Sequence, residues 1–116
     1  MYRIVLTKQA QKDYSYWISG GNTAILKKIE QLLEDIAAHP YTGLGKPEAL
    51  KYGLSGKWSR RINSEHRLIY SVDDEIIDVY VFSMRLHYIL FEKNSWHKIL
   101  NKSQTHMPVP QSQQAL

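Results

Sequence analysis

The stretch Lys57–Met84 reads KWSRRINSEHRLIYSVDDEIIDVYVFSM, and its punctuation decides the fold. Three β-branched and aromatic runs, residues 57–62, 66–72 and 76–84, are separated by Asn63-Ser64-Glu65 and Asp73-Asp74-Glu75. Links of that length and polarity join antiparallel neighbours, so the stretch predicts a three-stranded meander. In the last run Ile77, Val79 and Val81 alternate with Asp78, Tyr80 and Phe82, which implies a strand covered on both faces. Trp58, Tyr70 and Tyr80 are read as packing residues in preference to base-stacking ones.

Upstream, Tyr2–Leu6 is a short run of strand composition. Thr7 is placed to cap a helix from Lys8 to about Ile18, with Ala10, Tyr14 and Trp17 at helical spacing and Gly20-Gly21 as its stop. A second helix begins at Asn22 or Thr23. Its Ile25, Leu26, Ile29, Leu32, Leu33 and Ile36 form one apolar stripe, Lys27, Lys28, Glu30 and Glu34 lie on the other face, and Pro40 ends it. The Gly/Pro-dense segment Tyr41–Gly56 is read as a long loop with at most a short turn. The order strand, two helices, meander defines an α+β domain with both helices on one face of an antiparallel sheet. Residues 1–88 form this domain. In the continuation, 89–100 is read as a short amphipathic helix or a poorly ordered segment, and 101–116 as a disordered tail.

The composition is that of an ordinary globular chain, 43 % apolar and 22 % charged. There is no cysteine, no stretch long enough for a transmembrane helix and no signal-peptide pattern at the start, so a cytoplasmic protein without membrane contact is expected. The formal charge of +4 is concentrated: residues 46–67 hold Lys46, Lys51, Lys57, Arg60, Arg61 and Arg67 against Glu48 and Glu65. Clustering of that kind is the footprint of a polyanion binder.

Within or beside this basic segment lie the groups that carry chemistry. Glu48 follows Lys46-Pro47 in the loop, Arg61 and Arg67 lie on consecutive strands, and His87-Tyr88 closes the last one. A carboxylate, an imidazole and paired guanidiniums are what metal-free phosphodiester cleavage requires. Other templates are missing: there is no Gly-rich phosphate loop, no Gly-x-Ser-x-Gly elbow, and no metal-ligand spacing among the histidines, so neither metal nor cofactor is expected.

Gly43-x-Gly45-Lys46-Pro47-Glu48-x-Leu50-Lys51, Leu54-Ser55-Gly56-x-Trp58-Ser59-Arg60-Arg61-Ile62, Glu65-His66-Arg67-Leu68-x-Tyr70 and His87-Tyr88, with Asp13-Tyr14 and Trp17 ahead of them, closely resemble the YoeB/Txe toxins of the RelE superfamily. The resemblance implies a microbial-ribonuclease-like fold, a homodimer, a YefM-like antitoxin, and endonucleolytic cleavage of mRNA in the ribosomal A site. By motif position it implies Glu48 as general base on the ribose 2′-OH and His87 as general acid on the 5′-oxygen. Arg67 would stabilise the phosphorane and Tyr88 orient the scissile nucleotide. Lys51 and Arg61 are similar to residues lining the same phosphate pocket, and Lys46 and Arg60 are counted with them as phosphate-binding candidates. One departure is that the chain continues 28 residues past Tyr88, where family members usually end. Two alternatives therefore stand beside the ribonuclease reading: a homologue silenced by its own tail that only captures antitoxin, and a gyrase-directed toxin of ParE type on the same fold.

Overall fold

The structure is a computed structural model, and it describes residues 1–85. The elements are β1 (Arg3–Leu6), α1 (Lys8–Ser19), α2 (Thr23–Ala38), β2 (Glu48–Ala49), a short 3₁₀ turn (Tyr52–Leu54), β3 (Trp58–Arg61), β4 (Arg67–Asp73) and β5 (Asp78–Ser83). They build the α+β architecture expected from the sequence, with strand order β1-β5-β4-β3-β2. The sheet is mixed: β2, β3, β4 and β5 pair antiparallel in sequence, whereas β1 lies parallel to β5. That parallel pairing places the first strand beside the last.

Local chemistry sets the element ends. The Thr7 hydroxyl accepts from Ala10 N at the start of α1, and the Asn22 side chain accepts from Ile25 N at the start of α2. In the two hairpins, Asn63 Oδ1 accepts from Glu65 N and His66 N, and Asp73 Oδ1 from Glu75 N and Ile76 N. Asx side chains thus satisfy the turn's own amides. The second turn runs two residues further than the sequence suggested. Ile76 and Ile77 are exposed in it, Ile77 with φ 57, and β5 starts only at Asp78.

One face of the sheet carries both helices. Ile29, Leu32 and Ile36 of α2 and Ala10 and Trp17 of α1 pack against Leu68, Tyr70, Val79 and Val81, with Ile25, Leu26 and Leu33 at the margin. Full burial of an Ile or Leu side chain stabilises by about 1.5–3 kcal/mol, so this layer dominates the stability of the fold.

Two corrections to the sequence reading come from segment 39–61. Glu48 is not in a loop: it belongs to β2, whose Glu48 and Ala49 pair with Ser59 and Trp58. Two residues are too few to show alternation, and proline and glycine on either side hid them. Arg60, expected among the phosphate binders, is fully buried on the helix side (0 % exposed). All five of its N–H donors are engaged: Nε donates to Tyr70 Oη, one terminal nitrogen to Asp35 and Leu44 O, the other to His39 O and Thr42 O. A buried cation needs this saturation, and it leaves no donor for a phosphate.

Candidate functional site

Directly paired residues in an antiparallel ladder project to the same face. Glu48 pairs with Ser59, Arg61 with Arg67, and Ile69 with both Ser59 and, across the next ladder, Ser83. Glu48, Ser59, Arg61, Arg67 and Ser83 therefore share the face opposite the helices. With strands about 4.8 Å apart and residues i and i+2 about 6.7 Å apart, the Glu48 and Arg67 Cα atoms lie about 12 Å from one another. Side chains of this length are long enough to reach a common group across such a gap.

Exposure differs along the row. Glu48 and Arg61 are exposed, whereas Arg67 is only 6 % exposed and Ser59 and Ser83 are buried. Arg67 donates a long bond to Asn63 O at 3.5 Å. Arg61 and Arg67, paired in register, set two planar donor forks side by side, a geometry that suits an anion. Lys46 and Lys51 flank β2 and are both exposed, Lys46 with a left-handed φ of 51. No group of three or more His, Cys, Asp or Glu side chains with metal-binding geometry occurs among the described residues.

The loop that delivers Glu48 is held from below. Asp35 accepts from Leu44 N at 3.0 Å and pairs with Arg60, which also donates to the carbonyls of Leu44, His39 and Thr42 in the same loop. Burial works against the Asp35 carboxylate, but the Arg60 hydrogen bond and the Leu44 amide outweigh it and keep its pKa below the usual carboxylate value. Gly45 then reaches β3, where its carbonyl accepts from Arg61 N at 2.7 Å. At φ 77 a Cβ there would sit 2.9 Å from Leu32 Cδ2 and 3.0 Å from Arg61 O, so only glycine fits.

The far end of the site is held by α1. Asp13, 3 % exposed, accepts from Met84 N at 2.9 Å and from Gln9 Nε2, and Trp17 Nε1 donates to Met84 O at 3.0 Å. Burial raises the pKa of Asp13 above the ordinary value, against the lowering by its two hydrogen bonds. The His66 ring meets Trp17 edge-on at 4.8 Å. These contacts fix both backbone groups of Met84, three residues before His87. His87, Tyr88 and residues 89–116 lie outside the described residues. The positioning roles of Asp13, Asp35 and Arg60 were not anticipated from the sequence, where nothing distinguishes a buried carboxylate at a helical position from a solvated one.

The fold and the face define a class: a small α+β protein with helices on one sheet face and a carboxylate with guanidiniums on the other. Residues 6–88 match the YoeB-like toxins of bacterial type II toxin–antitoxin systems, and the chain belongs to that family. It is similar to the toxin YoeB of Synechocystis sp., 46 % identical over 86 residues that cover 74 % of this chain and 96 % of the relative. Among solved structures it resembles the YoeB–YefM complex from Staphylococcus aureus (TM-score 0.66, 43 % identity, 76 % of this chain and 99 % of that one). It also resembles the YoeB dimer from the same organism (TM-score 0.66, 42 % identity, 75 % and 98 %). Among the described residues no helix is long and apolar enough to cross a membrane.

Proposed function

We propose that this toxin is a metal-free endoribonuclease that cuts translated mRNA in the ribosomal A site. The observation that carries the reading is the ladder register: Glu48, Arg61 and Arg67, distant in sequence, stand on one open sheet face. In the proposed reaction the Glu48 carboxylate takes the proton of the ribose 2′-OH, and the freed oxygen attacks the adjacent phosphorus. Arg67 and Arg61 neutralise the extra charge on the phosphorane. The bond to the 5′-oxygen then breaks, His87 supplies the proton to the leaving oxygen, and Tyr88 orients the nucleotide. A 2′,3′-cyclic phosphate and a 5′-hydroxyl result. Each proton-transfer group contributes about 10² to 10⁴ in rate, and preorganised charge stabilisation adds about 10² to 10³ per donor. Lys51 and Lys46 extend the positive surface on which the message lies. DNA lacks the internal nucleophile and is not cut.

The family likeness supports a YefM-like antitoxin as partner and a homodimer as the free form, by analogy with the complex and the dimer from Staphylococcus aureus. In this reading the ribosome presents the message to the toxin, and the cytoplasm is the site of action.

The test is a map of 5′ ends on translating and on free message with the wild-type chain, Glu48→Ala and His87→Ala. Cuts confined to ribosome-bound codons in the wild type, and reduced at least a hundredfold in both variants, are expected. Equal cutting by the variants overturns the acid/base assignment. Activity that emerges only after truncation behind Tyr88 favours instead a tail-silenced toxin.

A further inference from the structure

Lys57 stands beside this row, one step before β3. Its backbone is fixed on both sides, Lys57 N donating to Leu54 O at 3.0 Å and Lys57 O accepting from Leu50 N at 2.9 Å. Strand alternation into β3 sets Lys57, Ser59 and Arg61 on the same face, about 6.7 Å apart from one to the next. The side chain does not point away into bulk water. Its Nζ lies 4.9 Å from the centre of the Phe82 ring, which belongs to β5, two strands over. Phe82 is the extra residue where the β4–β5 register shifts between Ile69 and Tyr70. The lysine stem thus crosses β4 and leaves its ammonium over the middle of the open face.

That is an unfavourable place for a cation in the free protein. Lys57 is half-buried, and burial depresses its pKa. The ion pairs among the described residues join Arg3 to Asp78, Arg60 to Asp35 and His66 to Glu65, so none of them neutralises it. Arg61 and Arg67 lie further along the same face, which also carries Glu48. Contact with Phe82 offsets part of the burial, but methionine would pack there equally well without the charge. A polyanion laid across the face removes the mismatch.

We infer that Lys57 is a second phosphate-binding residue of the open face, holding the phosphate next to the cleaved bond on the side of Ser59 away from Arg61. Lys57 and Arg61 lie about 13 Å apart along β3, and the Lys57 ammonium is drawn over to Phe82 on β5, so the two cations suit neighbouring phosphates on an extended strand. Lys57 therefore binds substrate in its ground state and takes no part in proton transfer. This rests on the ribonuclease reading and adds a substrate contact to it.

The experiment measures binding of the full chain to a short 2′-O-methyl oligoribonucleotide, which has no nucleophile to be cut, over a range of NaCl concentrations. Lys57→Met keeps the stem on Phe82 and removes the charge. It is expected to weaken binding roughly tenfold at low salt and to lower the slope of log K against log salt by about 0.7, one phosphate contact on a single strand. Lys57→Arg restores both, and Lys57→Met melts no lower than wild type, which a purely structural lysine would not allow. Wild-type binding with an unchanged slope in Lys57→Met overturns the inference and leaves the ribonuclease reading standing. A wild-type chain that shows no salt-dependent binding likewise overturns the inference, while the ribonuclease reading is decided by the cut-site map on ribosome-bound message.

Discussion

Arg60 and Arg61 are adjacent in sequence and opposite in fate. Arg60 points into the helix-covered side, where Asp35, the Tyr70 hydroxyl and three loop carbonyls take every donor. Arg61 lies on the open side, paired in register with Arg67 and exposed. The difference is one step of strand alternation. It shows how one basic cluster divides: the buried arginine holds the loop that leads to Glu48, and the exposed one stands on the open face, where the proposed substrate contact lies.

The largest break in this comparison is expected at Arg60. Arg60→Met removes the partner of Asp35 and leaves three loop carbonyls unpaired, a loss of about 3–5 kcal/mol for breaking a buried pair. At about 4–8 °C per kcal/mol for a domain of this size, thermal unfolding should drop by more than ten degrees. Arg60→Lys should rescue little, since an ammonium cannot reproduce the five-donor fork.

Smaller losses are expected from the two clamps. Asp13→Ala orphans the Met84 amide and should lower stability by about 1–3 kcal/mol in denaturant titration. It should also slow cleavage beyond what the stability loss explains, because the strand end before His87 is loosened. Gly45→Ala forces a Cβ into Leu32 and Arg61 at a positive φ and should lose more than about 1 kcal/mol.

The carboxylates on the two clamps sharpen the contrast through pH. Asp35 titrates lower folded than unfolded, so its contribution is present above the ordinary carboxylate pKa and fades as pH falls through its folded value. Asp13 titrates higher folded than unfolded, so stability from that site is lost as pH rises through the acid range toward its folded value. Urea midpoints from pH 3 to 7 should show a shallower acid limb in Asp35→Asn and a steeper one in Asp13→Asn. The smallest effect on stability belongs to Arg61→Ala, within about 0.5 kcal/mol, although under the proposed function RNA binding should weaken in the same variant.

Much of the fold was legible because long amphipathic periods are strong signals. The α2 stripe from Ile25 to Ile36 and the first Asx-turned hairpin appear where spacing and turn residues put them, and the second hairpin differs only by a turn two residues longer. The parallel pairing of β1 with β5 was not, because no local feature states which strand a short N-terminal run joins. Arg61 and Arg67 were legible as residues of consecutive strands but not as register partners, and Glu48 reads as a loop residue since two-residue β2 has no period of its own. Arg60 was misjudged for a related reason. Charge was counted along the segment, and only the register tells which of two adjacent arginines faces out. Lys57 was counted in the same cluster, and its reach to Phe82 depends on the bulge in β5, which no sequence pattern announces.

The central claim is that one phosphate sits on the open face between Arg61, Arg67 and the Glu48 side chain. It is tested most directly by a structure of Glu48→Gln bound to an RNA carrying a single 2′-O-methyl group at the cleaved nucleotide. The account predicts the scissile phosphate bridging both guanidiniums, with the residue 48 carboxamide beside the blocked 2′-oxygen. A message bound against α1 or α2, with Arg61 and Arg67 untouched, would contradict it.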